Sequence, residues 1–458
     1  MQNYTIVSEK SYFCLNRISY LPTSEMSENS DKSKQPNSWY NLILHLHPRK
    51  IKPNTLQFNL TFGLGGMAAL LVVIQVFTGL LLKFHYIPTP EGAYNSVLNI
   101  NEGLLFGKLA HNIHHWSAVL LLWITFLHML RVLFTGAYRK PRHATWIFGV
   151  FLLVLVVLSN FTGYLLPWDQ LSYWAVTVVT SLLQYIPLIG EAARETLLGG
   201  QEPGSVTLSN FFNLHTGIIP LIIILLMGYH FWRIRRAGGV VVPEKEKDIA
   251  MVDTYPNLVA REFVVALVLL AFILVISVLF DAPLRERANP SFSPNPAKAP
   301  WYFMGLQELL IHFHPFFAVV VFPLLIFTGS IWLPYIKLSD SNQGIWFLSE
   351  KGIDAGKYSL WAGFIFTVSF ILISELLPDP ETILPVVPSV VTTGIIPFII
   401  TTGTIYLFIK WLIKRFGLNR SEYIQSVLII LVISYTVLSL TGILFRGAGM
   451  KLMWPWEI

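Results

Sequence analysis

Residues 107–134 read GKLAHNIHHWSAVLLLWITFLHMLRVLF, and the stretch 116–127 within them carries no charged residue. About 20 apolar residues, at about 1.5 Å each in a helix, cross the roughly 30 Å of hydrocarbon in a bilayer. Comparable runs recur along the chain after residue 58. They predict nine spans, at 60–82, 110–134, 145–166, 212–233, 262–280, 316–336, 359–377, 391–413 and 424–445.

The composition agrees with a membrane location. Hydrophobic residues make up 54% of the 458 residues, charged residues only 13%, and the mean hydropathy is +0.58. Such a chain has too few polar side chains for a water-exposed surface. The sequence therefore predicts an all-α integral membrane protein.

The formal charge of +6 would suggest nucleic acid in a soluble protein. Here Lys and Arg are concentrated in the loops after the second, fourth, sixth and eighth spans, which is the pattern of cytoplasmic loops. The bias predicts a cytoplasmic amino terminus, and no nucleic-acid partner is expected.

Three regions follow from the order of the spans. Residues 1–36 are polar and predicted to be a flexible leader; their Cys14 is the only cysteine, so any metal in this chain must use other ligands. Residues 37–240 carry four spans and residues 241–458 carry five. We predict a front domain and a rear domain on either side of a basic linker.

Two stretches, 167–210 and 282–315, are too polar or too rich in proline to cross a membrane. Both follow spans that end on the predicted outer side. We expect them to fold together, and we call the pair the cap.

Four histidines on two spans stand at similar spacings. His114 and His128 are fourteen residues apart, which is about 3.9 helical turns and puts both on one face, about 21 Å apart. His215 and His230 are fifteen apart, so the second lies about 60° further round its helix. Two antiparallel helices would then face His114 with His215 and His128 with His230. Paired imidazoles above and below an iron are the ligands of bis-histidine haem.

Four glycines repeat the fourteen-residue spacing. Fourteen residues separate the members of two pairs on the first and third spans, Gly65 with Gly79 and Gly149 with Gly163. Glycine in a membrane helix usually marks close helix packing, and a lone membrane histidine can also be a packing residue. Ionisable groups at this depth are costly, so they tend to be functional. Histidines and glycines at one common spacing therefore favour two haems stacked between the helices.

The motifs that contain these residues resemble a known family. They read HNIHHWSA, FLHMLRV, GYLLPWDQLSYWA, NLHTG, YHFWRIRR and APWYFMGLQEL, and their order is similar to that in cytochrome b of the cytochrome bc and bf complexes. The resemblance runs from about residue 38 to residue 336. The haem half looks like the chloroplast-type branch, and the continuous rear half looks like the fused respiratory form.

The resemblance implies the same histidine pairs as ligands of two non-covalent haems b, His114 with His215 on the outer side and His128 with His230 on the inner side. It also implies that Arg131 and Arg235 meet the propionates of the inner haem or a bound quinone.

The resemblance further implies a quinol:cytochrome c (or similar acceptor) oxidoreductase, active as a subunit of a complex. It places quinol oxidation on the outer side, between the end of the third span and the loop 282–315. It also implies that electrons cross both haems to a quinone near the cytoplasmic face, and that this transfer is coupled to proton translocation. The site residues that it implies there are Tyr164, Pro300, Trp301 and Tyr302, together with the glycine at the end of the third span.

Three positions depart from the family pattern. The family's outer loop carries a glutamate that is thought to accept a quinol proton, but Pro300 occupies that position. His111 stands where an arginine is common. Gly63 replaces the cysteine that attaches an extra haem in the chloroplast branch, so no covalent third haem is expected.

Glu308 is the nearest substitute for the missing glutamate. It follows Trp301 by seven residues, about two helical turns, so a helix would place both on one face. A carboxyl buried against aromatic rings would have a raised pKa suited to accepting a proton at neutral pH. We expect Glu308→Gln to slow quinol oxidation at least tenfold, with His312 or His314 as the next proton carrier.

The implied partners are a Rieske iron–sulfur protein, a c-type cytochrome subunit, quinone and lipid, in a homodimeric complex of an energy-transducing membrane of the bacterial cytoplasmic type. One alternative keeps the haems but makes the chain a dihaem anchor that feeds quinol electrons to a dedicated reductase. Another, a secondary transporter, predicts broken helices and pseudo-repeats, which the sequence does not contain.

Overall fold

The computed structural model describes residues 47–243, 249–338, 343–378 and 380–457, except for the side chains of Pro380 and Glu381. The predicted leader 1–36, with Cys14, lies outside the described residues. Helices of nine residues or more are labelled α1 to α13 in chain order. They are α1 (Leu64–Lys83), α2 (Ala93–Glu102), α3 (Gly107–Phe134), α4 (His143–Tyr164), α5 (Gln170–Ser181), α6 (Gly190–Leu198), α7 (Ser205–Arg236), α8 (Asn257–Leu279), α9 (Met304–His312), α10 (Phe317–Tyr335), α11 (Glu350–Leu376), α12 (Val390–Phe416) and α13 (Arg420–Leu444).

Within this described part of the chain, nine helices are long and apolar enough to cross a membrane, namely α1, α3, α4, α7, α8 and α10 to α13. The nine predicted spans are therefore confirmed. The remaining structure includes four-residue helices at Phe58–Thr61 and Pro380–Ile383 and a small antiparallel pair of strands, β1 (Lys50–Ile51) and β2 (Val252–Asp253).

Several helices begin earlier than hydropathy indicates. α11 starts at Glu350 rather than 359, because the Ser349 side chain accepts a hydrogen bond from the Gly352 N–H. α13 starts at Arg420, where Asn419 and Glu422 form a reciprocal capping box. Such caps satisfy the free N–H groups of the first turn. A polar first turn can therefore be helical, although a hydropathy window excludes it.

The main core lies where α1, α3, α4, α7 and α8 meet. Its fully or nearly fully buried side chains include Leu71, Val156 and Ile273. The spanning helices α1, α3, α4 and α7 thus form a bundle, and α8 packs against it. α11 and α13 pack together in the rear domain, and α9 packs on α13.

The two cap segments contact each other as expected. The backbone N–H of Gln170 donates to the Glu286 carbonyl, and that of Ala288 donates to the Trp168 carbonyl. Asp169 caps α5 through the Ser172 N–H and also accepts a hydrogen bond from the Arg285 N–H. Hydrogen bonds from both backbone and side chains therefore join 167–210 to 282–315.

Candidate functional site

The four spaced histidines lie inside the bundle in the expected pairs. The ring centres of His114 on α3 and His215 on α7 are 6.1 Å apart, with the planes at 81°. A metal-bound imidazole nitrogen lies about 2 Å from the metal, with the ring centre roughly 1 Å beyond, so two imidazoles that held one metal ion between them would have ring centres about 6 Å apart. His128 and His230 are close enough to interact electrostatically. The first pair therefore has the separation that one iron between two imidazoles requires.

A π-helical turn explains the unequal spacings of the two helices. Residues Leu214–Ile218 of α7, which include His215, form this turn. It takes up one residue more than an α-helical turn would, so the fifteen residues from His215 to His230 turn through about the same angle as the fourteen from His114 to His128. Pro220 follows, and its missing N–H and bulky ring disfavour a regular α-helical turn before it.

The same association recurs in the rear domain. π turns at Phe317–Val321 and Val390–Ile395 each stand two residues before a proline, Pro323 and Pro397. Pro220 was therefore the sequence feature that indicated the π turn at His215.

Each of the four glycines at the fourteen-residue pitch abuts one of the four histidines. A Cβ atom added to the glycine would approach the Cε1 atom of the imidazole to 2.5 Å for Gly163 and His215, 3.2 Å for Gly79 and His114, and 3.4 Å for Gly65 with His128 and for Gly149 with His230. Antiparallel packing of α1 on α3 and of α4 on α7 produces this pairing. The glycines thus leave space for the imidazoles themselves.

Hydrogen bonds to Nδ1 orient two of the rings. The Nδ1 atom of His215 lies 3.0 Å from the Ser159 carbonyl, to which it can donate only if it carries the proton. That tautomer leaves the Nε2 lone pair available for a metal. The Nδ1 atom of His114 lies 2.9 Å from the Thr78 hydroxyl. The sequence did not indicate Ser159 or Thr78, because a backbone carbonyl leaves no mark in a sequence and a threonine beside a glycine carries no distinctive pattern.

Arg131 lies near the His128 end of the bundle and is almost fully buried. Its Nε atom donates to the Leu60 carbonyl at 2.9 Å, whereas Nη2 is buried without a hydrogen-bond partner among the described residues. A buried guanidinium N–H of this kind fits an acidic group such as a propionate. Arg235 lies at the end of α7, five residues after His230.

His111, one turn before His114, forms a hydrogen bond to α2. Its Nδ1 atom lies 2.8 Å from the Asn101 side-chain oxygen on α2. This hydrogen bond commits one of its two ring nitrogens to the protein, so only Nε2 remains for a ligand.

A narrow cleft lies between α5 and the segment 297–310. Phe303, in its wall, contacts Phe161 of α4 with ring centres 5.7 Å apart. Phe161 lies two residues before Gly163, which abuts His215. Phe161 and Gly163 lie about 200° apart around α4, so this part of α4 stands between the cleft and the His114–His215 pair.

The predicted outer-site residues are not among the described residues that line the cleft; they are Tyr164, Pro300, Trp301 and Tyr302. Pro300 starts the turn Trp301–Phe303. The Trp301 ring stacks on Trp123 of α3 at 4.9 Å and 7°. The Tyr302 hydroxyl is buried without a hydrogen-bond partner among the described residues, burial raises its pKa, and its phenol interacts electrostatically with that of Tyr164.

Glu308 faces away from the cleft. The cleft is lined from α9 by Leu306, Gln307 and Leu310, whereas Glu308 lies about 200° from Leu306 and Leu310 around the helix. Its carboxylate accepts hydrogen bonds from the Arg446 guanidinium at 3.0 and 3.1 Å.

The environment of Glu308 corrects the expected pKa. His312 lies 3.1 Å from the same carboxylate, and a second carboxylate, Glu375, pairs with Arg446 at 2.7 Å. Burial tends to raise the pKa of Glu308, but the hydrogen bonds from His312 and Arg446 outweigh burial and leave the pKa below its ordinary value. The expectation of a raised pKa was wrong, because Arg446 lies 138 residues away in sequence and no local pattern marks it as a partner. A carboxylate bound in this way is a poor proton acceptor for a ligand on the opposite face of α9.

Comparisons with known proteins bear on the front domain first. Residues 49–238 match the family described as cytochrome b/b6/petB. Cytochrome b6 from Heliomicrobium gestii is 42% identical over 180 residues, which cover 39% of this chain and 84% of that protein. Cytochrome b6 from Heliobacterium modesticaldum is 44% identical, and that from Synechococcus elongatus 42% identical, over the same shares.

The chain belongs to the cytochrome b family.

Cytochrome b proteins of this family bind b-type haems, and the four paired histidines lie within the matched residues. The chain is therefore an integral membrane, electron-transfer subunit of the cytochrome bc type, part of an oxidoreductase complex. A solved structure, titled hyperthermophilic respiratory Complex III, superposes with a TM-score of 0.63 over 89% of this chain and 96% of its own, at 22% identity. That likeness extends the shared fold into the rear domain, where Glu308 and Arg446 lie.

Proposed function

We propose that this cytochrome b oxidises quinol in the cleft between α5 and the segment 297–310, and that it holds two non-covalent haems b between the pairs His114–His215 and His128–His230. The observation that carries the proposal is the position of the cleft beside the last turns of α4, where Phe161 contacts Phe303 of the cleft wall and Gly163 abuts His215. Bound haem would supply one-electron redox chemistry at both ends of the bundle. The protein's own residues would bind the quinol, orient it and shield it from water.

The walls of the cleft suit a flat, apolar ring. Trp174 and Val178 of α5 face Phe303 and Leu306 across it. Apolar walls exclude water, so a polar group that reaches the ring oxygens has a stronger electrostatic effect there than in bulk solvent. The Tyr302 hydroxyl, buried near Tyr164, has an unused donor and acceptor for a quinol oxygen or an ordered water.

The His128 end has a pocket suited to a second quinone. Leu60, Phe62 and Trp346 contribute to its lining. Arg131 donates to the Leu60 carbonyl and keeps Nη2 unpaired among the described residues, so a positive group lies beside this pocket. We propose quinone reduction here, with proton uptake at this face and proton release at the cleft, in a chain whose amino terminus is cytoplasmic.

Gly63, near this pocket, supports the expectation of no covalent third haem. It has φ +65°, and a Cβ atom there would lie 3.3 Å from a methyl group of Val265. The position therefore lacks a thiol and has little space for one. A Rieske iron–sulfur protein, a c-type cytochrome and a second copy of the chain complete the proposed complex.

The test is to purify the complex and to measure three things together. Quinol-dependent reduction of cytochrome c, two b-type haems per chain by the pyridine haemochrome assay, and a co-purifying iron–sulfur subunit are expected. One haem or none per chain would contradict the ligand assignment. Two haems without an iron–sulfur partner would favour the dihaem-anchor alternative.

A further inference from the structure

The residues that precede the four histidine-abutting glycines differ between the two ends of the bundle. The two glycines at the cap end each belong to a Phe-Thr-Gly sequence, at 77–79 and at 161–163. The two at the other end follow an apolar residue, Leu64 or Phe148. These positions therefore supply threonine hydroxyls to the His114–His215 pair but not to the other pair.

At Thr78 the direction of the hydrogen bond to histidine is fixed. The Thr78 hydroxyl donates to the Ile74 carbonyl of its own helix at 2.7 Å and lies 2.9 Å from Nδ1 of His114. A hydroxyl has one hydrogen and two lone pairs. Because that hydrogen is committed to Ile74, the hydroxyl accepts from the N–H of Nδ1. His114 then has the lone pair of Nε2 available for a metal.

Helix packing builds this contact into the bundle. A Cβ atom at Gly79 would lie 3.2 Å from Cε1 of His114, so the glycine lets α1 come close enough for the buried Thr78 to reach Nδ1. Gln75, one turn earlier on α1, donates to the His114 carbonyl at 2.7 Å. α1 thus holds both the backbone and the ring of His114. A hydrogen bond in such a buried place is electrostatically stronger than in water.

The second histidine at the cap end also has acceptors at Nδ1. This atom of His215 lies 3.0 Å from the Ser159 carbonyl and 3.3 Å from the Thr162 hydroxyl, which itself donates to a carbonyl of α4. At the other end, the Thr145 carbonyl approaches the His230 ring. However, no acceptor among the described residues meets hydrogen-bond geometry with Nδ1 of His230. The two ends therefore differ in how strongly the Nδ1 groups are bound.

From this asymmetry we infer that Thr78, assisted by Thr162, lowers the reduction potential of the haem between His114 and His215. The inference rests on the proposed function, because it requires a haem between these histidines. An acceptor at Nδ1 makes an imidazole a more basic ligand, and a more basic ligand stabilises oxidised iron relative to reduced iron. Hydrogen bonding around the ligands is one means by which a protein tunes a haem. The two threonines are thus positioning residues that act through the histidines.

The sign of the effect suits the proposed direction of electron transfer. The couple takes up one electron at the iron, and Nδ1 keeps its proton in both states. An electron that enters at the cap end moves spontaneously to the other end if the haem there has the higher potential. The two Phe-Thr-Gly sequences lower the potential at the cap end and therefore favour this direction.

The experiment is a potentiometric titration of the purified complex, followed by optical absorption of both haems. It compares the parental complex with Thr78→Val and Thr78→Ser, and Thr404→Val is the matched control. Thr404 lies on α12, which packs with α11 and α13, and its hydroxyl donates to a carbonyl of its own helix. The His128→Ala variant is expected to retain only the haem at the cap end, so it identifies the midpoint of that haem.

For Thr78→Val we expect the midpoint of the cap-end haem to rise by about 59 mV, which is a tenfold change in a one-electron equilibrium, while the other midpoint stays constant. Thr78→Ser retains the hydroxyl and should stay close to the parental value. Thr162→Val should cause a smaller rise, because the Ser159 carbonyl still accepts from His215. Thr404→Val should match the parental complex. If Thr78→Val does not assemble with haem, Thr78→Ala replaces it and the same rise is expected.

The remaining outcomes contradict specific statements. Two haems with an unchanged or lowered cap-end midpoint in the Val or Ala variant reject the role of Thr78 and leave the haem ligands intact. An equal rise of both midpoints, or the same rise in Thr78→Ser, shows a general change in packing and also rejects the inference. A parental complex with fewer than two haems per chain rejects the proposed ligand pairs, and the inference with them.

Discussion

Gly163→Ala tests the packing of glycine against histidine most directly. A Cβ atom at this position would lie 2.5 Å from Cε1 of His215 and 3.0 Å from both ring nitrogens, whereas ordinary contacts begin near 3.4 Å. The ring cannot withdraw freely, because its Nδ1 atom is bound to the Ser159 carbonyl. The added methyl group must therefore displace the imidazole or push α4 away from α7.

The expected cost follows from this clash. Overpacking of a filled interior costs about 1–3 kcal/mol. The replacement of glycine by alanine gains at most about 1 kcal/mol in a helix interior, and less at Gly163, which lies next to the end of α4. The variant should therefore lose about 1–2 kcal/mol of stability. Where this cost falls on the position of His215, the affinity for a haem falls about tenfold for each 1.4 kcal/mol.

Gly149→Ala is the matched control. Its Cβ atom would lie 3.4 Å from Cε1 of His230, an ordinary contact, and the residue lies within the same helix. We expect this variant to unfold at the parental temperature or slightly higher. Gly228→Ala on α7, where nothing lies within 4 Å of the added atom, should behave in the same way.

The assay combines thermal unfolding in detergent with reduced-minus-oxidised spectra. Gly163→Ala should lower the unfolding temperature and weaken the haem assigned to His114 and His215, while the other haem is retained. Equal stability and equal haem content in Gly163→Ala and Gly149→Ala would refute the argument from the 2.5 Å contact. A loss of both haems in Gly149→Ala would refute it too.

Four other predictions concern the site. His128→Ala should remove the haem assigned to the His128–His230 pair and leave the other, as measured by haem content per folded chain; retention of both haems would exclude His128 as a ligand. Arg446→Met should lower the free energy of unfolding by about 3–5 kcal/mol, because it leaves the Glu308 carboxylate buried without its main partner, and the double variant Glu308→Gln/Arg446→Met should recover much of that loss. Since the pKa of Glu308 is lower in the folded protein, the ion pair should stabilise the fold fully above the unfolded pKa of about 4.3 and lose this effect as the pH falls through the folded value; a stability gap between parental and double variants that widens in acid would contradict this. Haem staining of a denaturing gel should leave the chain unstained, because Gly63 has no thiol, and a stained band would show a covalent haem.

The sequence by itself determined the membrane class, the nine spans and the paired histidines, because these features depend on local quantities. Hydropathy over about 20 residues identifies a span, and a fixed rise and rotation per residue place His114 and His128 on one face of α3. Antiparallel packing of neighbouring spans was then enough to pair His114 with His215. The spacing of the glycines was visible as well, although the group that each glycine accommodates was not.

Only the tertiary structure decided how Glu308 is used and what surrounds the cleft. Sequence position placed Glu308 two turns after Trp301 and suggested a raised pKa. In the fold its carboxylate is bound by Arg446 from beyond α13, so its pKa is lowered, and it lies on the face of α9 opposite the cleft. The Ser159 carbonyl that orients His215 is a backbone group of another helix. Such partners arise where distant helices meet, so neither hydropathy nor helical spacing could have predicted them.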